Sequence, residues 1–123
     1  MGAAAKKTMV LGASANPQRY SYLAVRSLRT AGHPVAAVGR KQAVVGDVEI
    51  VTDTPAVADV DTVTLYLNAA HQKEYYDYIL SLHPRRIIFN PGAENPELGA
   101  LAAANGIEPV EACTLVMLST GQY

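Results

Sequence analysis

The chain has 123 residues, a formal net charge of −1, half of its residues hydrophobic and only 17% charged. That balance excludes a disordered chain and any general electrostatic attraction to nucleic acid, so an anion site must be a local cluster of basic residues. A single cysteine excludes an internal disulfide framework, three histidines lack metal-ligand spacing, and no apolar run approaches the ~20 residues of a membrane span.

Met1 to Lys7 lacks the apolar stretch and cleavage site of a secretory signal, which points to a cytoplasmic protein. The length implies one domain over residues 1–123. Thr8 to Leu11 is a short apolar and β-branched run ended by Gly12, where the backbone must turn without a Cβ in the way. Small residues Ala13, Ser14 and Ala15 follow, then Asn16, Pro17 and Arg19, and a helix is expected from Tyr20 to Ala31 with Gly32 as its stop. A strand, a tight turn and a helix start in this order form the place where open α/β sheets bind nucleotides, because free N–H groups and the helix dipole favour a phosphate. Gly12-Ala13-Ser14 has one glycine where the dinucleotide fingerprint has three, and the G-K-[ST] of a P-loop is missing.

Val35 to Val38 reads as a second buried strand, delivering Gly39, Arg40 and Lys41 to the same edge. The β-α-β unit predicts parallel neighbours. Lys41 to Ala58 is less regular; the alternation of Val48, Ile50 and Thr52 suggests one short strand, and Pro55 suggests a brief helix. Thr62 to Leu67 is a third core strand ending in Asn68, and Ala69 to Leu82 a helix with Gln72, Tyr75, Tyr76, Ile79 and Leu80 on one side. Of Tyr75, Tyr76 and Tyr78, two are expected to pack and the third to suit a subunit contact.

Arg86 to Phe89 is the next strand, with Asn90, Pro91 and Gly92 turning at its end. Asn95 as N-cap, Pro96 at the first helical position, Glu97 on the dipole and Gly106 past the end delimit a helix whose Leu98, Leu101 and Ala102 face inward. Glu108 to Glu111 is a last strand, and Cys113 begins a short helix to Ser119. The alternation predicts an α/β, three-layer Rossmann-like domain: a parallel, doubly wound sheet of about five strands, with the first strand central.

Residues that follow the strands share one edge, which makes Gly12 to Arg19, Gly39 to Lys41, Asn68, Asn90 to Gly92 and Cys113 the candidate site. Arg19, Arg40 and Lys41 bring three positive charges there, suiting a ligand with several phosphates. An NAD site places Asp or Glu at the end of the second strand; a basic residue stands there instead, so a phosphorylated ribose fits better. NADP is the runner-up. Cys113 is either a thiol poised at a helix start, able to meet a ligand thiol in a mixed disulfide, or a small packing residue.

Gly12-Ala13-Ser14 with Pro17, Gly39-Arg40-Lys41, the Asn90-Pro91-Gly92 turn and Cys113 near the last turn resemble the small stand-alone CoA-binding proteins. The same Rossmann-like domain forms the N-terminal part of the succinyl-CoA synthetase α subunit and of ADP-forming acyl-CoA synthetases. The resemblance runs from about Lys6 to Leu118 and implies that coenzyme A is the bound cofactor. It implies Ser14, Ala15, Asn16 and Pro17 at the diphosphate and pantetheine, Lys41 at the nucleotide phosphates, and Asn90 to Gly92 along the pantetheine arm; Arg19 and Arg40 join them from charge and position.

The synthetases carry a further domain with a phosphorylated histidine, and none of His33, His71 or His83 lies in such a loop. The expectation is therefore a non-catalytic sensor, carrier or regulatory protein for CoA or acyl-CoA, able to serve an acyl-CoA-metabolising partner. Neither nucleic acid nor membrane is expected as a partner, and self-association is left open. The alternative is an NADP-dependent or CoA-transferring enzyme component acting with a partner chain.

Overall fold

The computed structural model describes residues 4–123. Strands β1 (Thr8–Ala13), β2 (Val35–Gly39), β3 (Ala43–Val45), β4 (Val48–Val51), β5 (Thr62–Leu65), β6 (Arg86–Phe89) and β7 (Glu108–Glu111) form a single sheet. Its order is β3-β4-β2-β1-β5-β6-β7, so β1 lies at the centre. All pairings are parallel except β3 with β4. The helices are α1 (Tyr20–Thr30), α2 (Ala69–Gln72), α3 (Tyr76–Ser81), α4 (Pro96–Ala104) and α5 (Thr114–Ser119), with a 3₁₀ turn at Lys73–Tyr75.

Period-2 alternation along β1 divides the core. Met9 and Leu11 point to the face covered by Ile79 and Leu82 of the α3 region and by Leu98 and Ala102 of α4. Val10 and Ala13 point to the other face, against Val25 and Leu28 of α1, with Leu118 of α5 beside them. The three-layer α/β expectation therefore holds, with seven strands rather than about five. The difference lies in the irregular segment after β2. There a two-residue Gly46-Asp47 turn joins β3 to β4 as a hairpin, with Val45 opposite Val48. β3 is only three residues long, with Val44 65% exposed, which leaves it with little apolar patterning to read.

Other boundaries move for local reasons. No helix starts at Pro55: its carbonyl accepts the Tyr78 hydroxyl at 2.7 Å and that of Ala58 accepts Lys7 Nζ at 2.8 Å, which holds the segment irregular. β1 does not stop at Gly12 but passes through a bulge there, pairing again at Ala13 with Gly39. β5 ends at Leu65, two residues early; Tyr66 N–H still donates to the Leu11 carbonyl, but the Leu67 carbonyl goes to the Gln72 side chain. The expected helix from Ala69 to Leu82 is broken at Tyr75, which sits at φ −103°, ψ 0°, where the 3₁₀ turn Lys73–Tyr75 ends. Tyr75, Tyr76 and Tyr78 are all half-buried against the core, so none of the three stands free. In α4, Leu98 and Ala102 are buried as expected, whereas Leu101 is 37% exposed.

Two buried amides tie the layers together. Gln72, fully buried, donates to the Leu67 and Ala93 carbonyls at 2.7 and 2.8 Å and accepts from Asn95 Nδ2 at 2.9 Å. Asn95 in turn caps α4, accepting the Leu98 N–H at 3.1 Å. With its polar atoms satisfied, this pair fixes α2 and the turn after β6 against the start of α4.

At the amino edge of the sheet, His33 is buried and its Nδ1 accepts the Lys6 N–H at 2.9 Å. The ring of Tyr123 lies 4.8 Å from that of His33, and the Arg86 guanidinium stands 4.5 Å from the Tyr123 ring centre. The Tyr123 hydroxyl hydrogen-bonds Thr8 Oγ1. No helix among the described residues is long and apolar enough to cross a membrane.

Candidate functional site

The carboxyl ends of the parallel strands open into a cleft of about 820 Å³. It lies where the chain order reverses, since β2 and β5 flank β1 on opposite sides. That reversal is the usual ligand position in open α/β sheets. The loop after β1 supplies Gly12 to Asn16 with Arg19; the loop after β2 supplies Arg40 and Lys41; Asn68 and Pro91 close the far side.

Gly12 sits at φ +89°, and a Cβ on it would meet the Leu67 side chain at 3.0 Å. Glycine there serves both the bulge and the close approach of the β5 loop. Beyond it, Ser14 Oγ accepts the Asn16 N–H at 3.0 Å and Asn16 Oδ1 accepts the Gln18 N–H at 3.0 Å. These short side-chain turns bring the chain round to Arg19, the N-cap of α1, whose side chain makes no capping bond. The N–H groups of Tyr20 and Ser21 have no hydrogen-bond partner among the described residues. An eleven-residue helix thus opens its positive end onto the cleft without a cap.

Electrostatics reinforce that opening. Arg19, Arg40 and Lys41 are exposed on the wall, and among the described residues no aspartate or glutamate lines the cleft. The ion pair among the described residues is elsewhere, between Arg29 and Asp47 at 2.8 Å. Hydrogen bonding to Arg29 holds the Asp47 carboxyl below its usual range, while among the described residues the three cleft cations pair with no carboxylate. Geometry and charge suit a phosphorylated ligand.

Not every predicted residue reaches the wall. Pro17, Gly39, Asn90, Gly92 and Cys113 do not line the cleft. Gly39 acts beneath it, packed against the Ala13 carbonyl. Asn90 is buried and its side chain is occupied internally: Nδ2 donates to Thr64 Oγ1 at 2.7 Å and the Leu65 carbonyl at 2.9 Å, while Oδ1 accepts the Thr114 N–H at 2.9 Å. It therefore caps α5, where Cys113 is the N-cap but makes no side-chain capping bond. Asn68 is likewise a cap, accepting the His71 N–H at 3.0 Å.

A family model for the CoA binding domain matches residues 6–119. The chain belongs to that family. A crystal structure of an uncharacterized protein, 51% identical, spans 98% of this CoA-binding-domain chain and 100% of its own, with a TM-score of 0.96. A Thermus thermophilus structure is 23% identical over 97% of this chain and 91% of its own, TM-score 0.81. A hypothetical protein from Pyrococcus horikoshii OT3 is 21% identical over 94% and 83%, TM-score 0.84. The latter two likenesses speak for the fold. No curated protein matches the sequence.

Within this member of the CoA-binding family, the cleft also takes in Tyr20, Ser21, Gln42, Ala43, Tyr66, Leu67 and His71, which the sequence reading leaves out. Gln42 and Ala43 follow directly on Arg40-Lys41, so extending that loop by two residues would have found them. Tyr66 carries no such signal. Its hydroxyl oxygen is buried without a hydrogen-bond partner, and burial pushes its pKa up to about 12, so it stays neutral.

Proposed function

We propose that the chain binds coenzyme A or an acyl-CoA across the carboxyl edge of its sheet, as a non-catalytic sensor, carrier or regulatory protein. The observation that carries this reading is the convergence of the uncapped α1 N-terminus with Arg19, Arg40 and Lys41 on one cleft without a carboxylate. Membership of the CoA binding domain family supports the choice of ligand. The cations after β2 are where a phosphate on the ribose is best held.

The carrier role is supported by how the polar side chains at this edge are used. Ser14, Asn16, Asn68 and Asn90 hold loops and helix ends, and Cys113 stands outside the cleft wall. Engaged in this way, these side chains shape the site around a ligand. A cytoplasmic protein able to hand acyl-CoA to a separate metabolising partner fits that arrangement.

A thermal-shift screen with CoA, acetyl-CoA, NADP, NAD and ATP tests the reading, because a ligand bound to the folded state raises stability as RT ln(1 + [L]/Kd). The expected result is a rise with CoA and acetyl-CoA that exceeds the rise with the other three. A larger rise with NADP would replace the reading by the enzyme-component alternative, and no rise with any ligand would remove it.

A further inference from the structure

We propose that Tyr20 is the platform on which the adenine base of the bound coenzyme stacks. The proposal rests on the CoA reading of the cleft and adds a residue that neither charge nor motif singles out. The chain has seven tyrosines, and Tyr20 is the exposed one, with 72% of its surface in solvent; the other six are at least half-buried or intermediate. It belongs to neither hydrophobic cluster, and its hydroxyl has no hydrogen-bond partner among the described residues. A large aromatic face left in water beside a cleft is the surface that a flat partner would cover.

Its position specifies the partner. Tyr20 is the first residue of α1, directly after Arg19, and lines the cleft whose wall also carries Arg40 and Lys41. Its own N–H is one of the two free donors at the helix start. A phosphate bound to that N–H is necessarily close to the tyrosine's own side chain. A nucleoside joined to the phosphate then reaches the ring, whereas the pantetheine arm leaves the diphosphate in the other direction. Bases stack on aromatic faces whatever their identity, so the ring adds affinity for the nucleotide end and orients it toward Arg40 and Lys41.

The chain has no tryptophan, so Tyr20→Trp places a unique fluorescent reporter on the platform. Adenosine 3′,5′-bisphosphate and CoA are expected to quench it; 4′-phosphopantetheine is not. By calorimetry, Tyr20→Ala is expected to weaken CoA about tenfold. The same variant leaves 4′-phosphopantetheine affinity and the ligand-free melting temperature unchanged, and Tyr20→Phe binds CoA as the unmodified protein does. Unchanged CoA affinity in Tyr20→Ala, or quenching by phosphopantetheine in place of the nucleotide, overturns the proposal while leaving the CoA reading intact. Absence of CoA binding by the unmodified protein removes that reading, and the proposal with it.

Discussion

Gly39 packs so closely on Ala13 that a Cβ added to it would overlap the Ala13 carbonyl oxygen and meet Ile50 Cγ2 at 3.0 Å. The pair sits where β1 rejoins β2 after the bulge at Gly12, directly beneath the loops that bear Ser14 and Arg40. Gly39→Ala is therefore expected to push the two strand ends apart. Overpacking of this kind costs about 1–3 kcal/mol, and it should widen the cleft floor as well. Urea denaturation checks the first effect and calorimetry with CoA the second; unaltered stability would mean that the strand ends yield freely.

Asn90 links β5, β6 and the start of α5 through a buried side chain with both its ends engaged. Asn90→Ala leaves the Thr114 N–H without its acceptor, a loss of about 2–3 kcal/mol. Asn90→Asp should be at least as damaging, because it sets a carboxylate oxygen against the Leu65 carbonyl. In both variants the loss is expected in the unfolding midpoint, with CoA affinity of the remaining folded protein nearly unchanged. A stable Asn90→Ala protein that fails to bind CoA would return this side chain to the ligand.

How far these roles were legible in the sequence depends on the distance over which each acts. The α4 cap at Asn95-Pro96 and the strands Arg86–Phe89 and Glu108–Glu111 appear within the expected bounds, because capping residues and the turn residues Asn90-Pro91-Gly92 and Gly106 are local signals. The edge position of Asn90 is also readable, but its partner Thr114 lies 24 residues away, so the structural use of the side chain is not. Gln72 reads as one more residue on a helix face; only the fold reveals that it bridges to Ala93, 21 residues on. The β3–β4 hairpin is missed since a three-residue edge strand, with Val45 buried and Val44 exposed, is too short to display an alternation. Of the candidate site, the cations and the β1 loop follow from chain order, whereas Tyr20 and Tyr66 do not, because ordinary tyrosines bear no mark of where they face.

The buried His33 predicts a pH dependence of stability remote from the cleft, since it lies at the amino edge of the sheet. Burial, with Lys6 and Arg86 nearby, lowers its pKa from the ordinary 6.5, against a smaller opposing pull from Asp61. Below that value the unfolded chain binds the proton more readily than the folded one, so stability rises with pH across this window. The contribution is complete above 6.5 and declines as the pH falls toward the lowered folded value. Urea midpoints should thus drop between about pH 7 and pH 5, and His33→Gln, which keeps an acceptor for the Lys6 N–H, should flatten that part of the profile. An identical slope in the variant would assign the effect to other groups.

The most direct test of the CoA assignment is a comparison of CoA with dephospho-CoA, which lacks only the phosphate on the ribose. Calorimetry at fixed low salt, on the unmodified protein and on Arg40→Gln/Lys41→Gln, separates this contact from the rest of the ligand. Because both cations are exposed, the expected preference for CoA is about tenfold, the lower end for a charge-assisted contact. The double variant should lose that preference while keeping its affinity for dephospho-CoA. Equal affinity of the unmodified protein for the two ligands would contradict the placement of the nucleotide over Arg40 and Lys41.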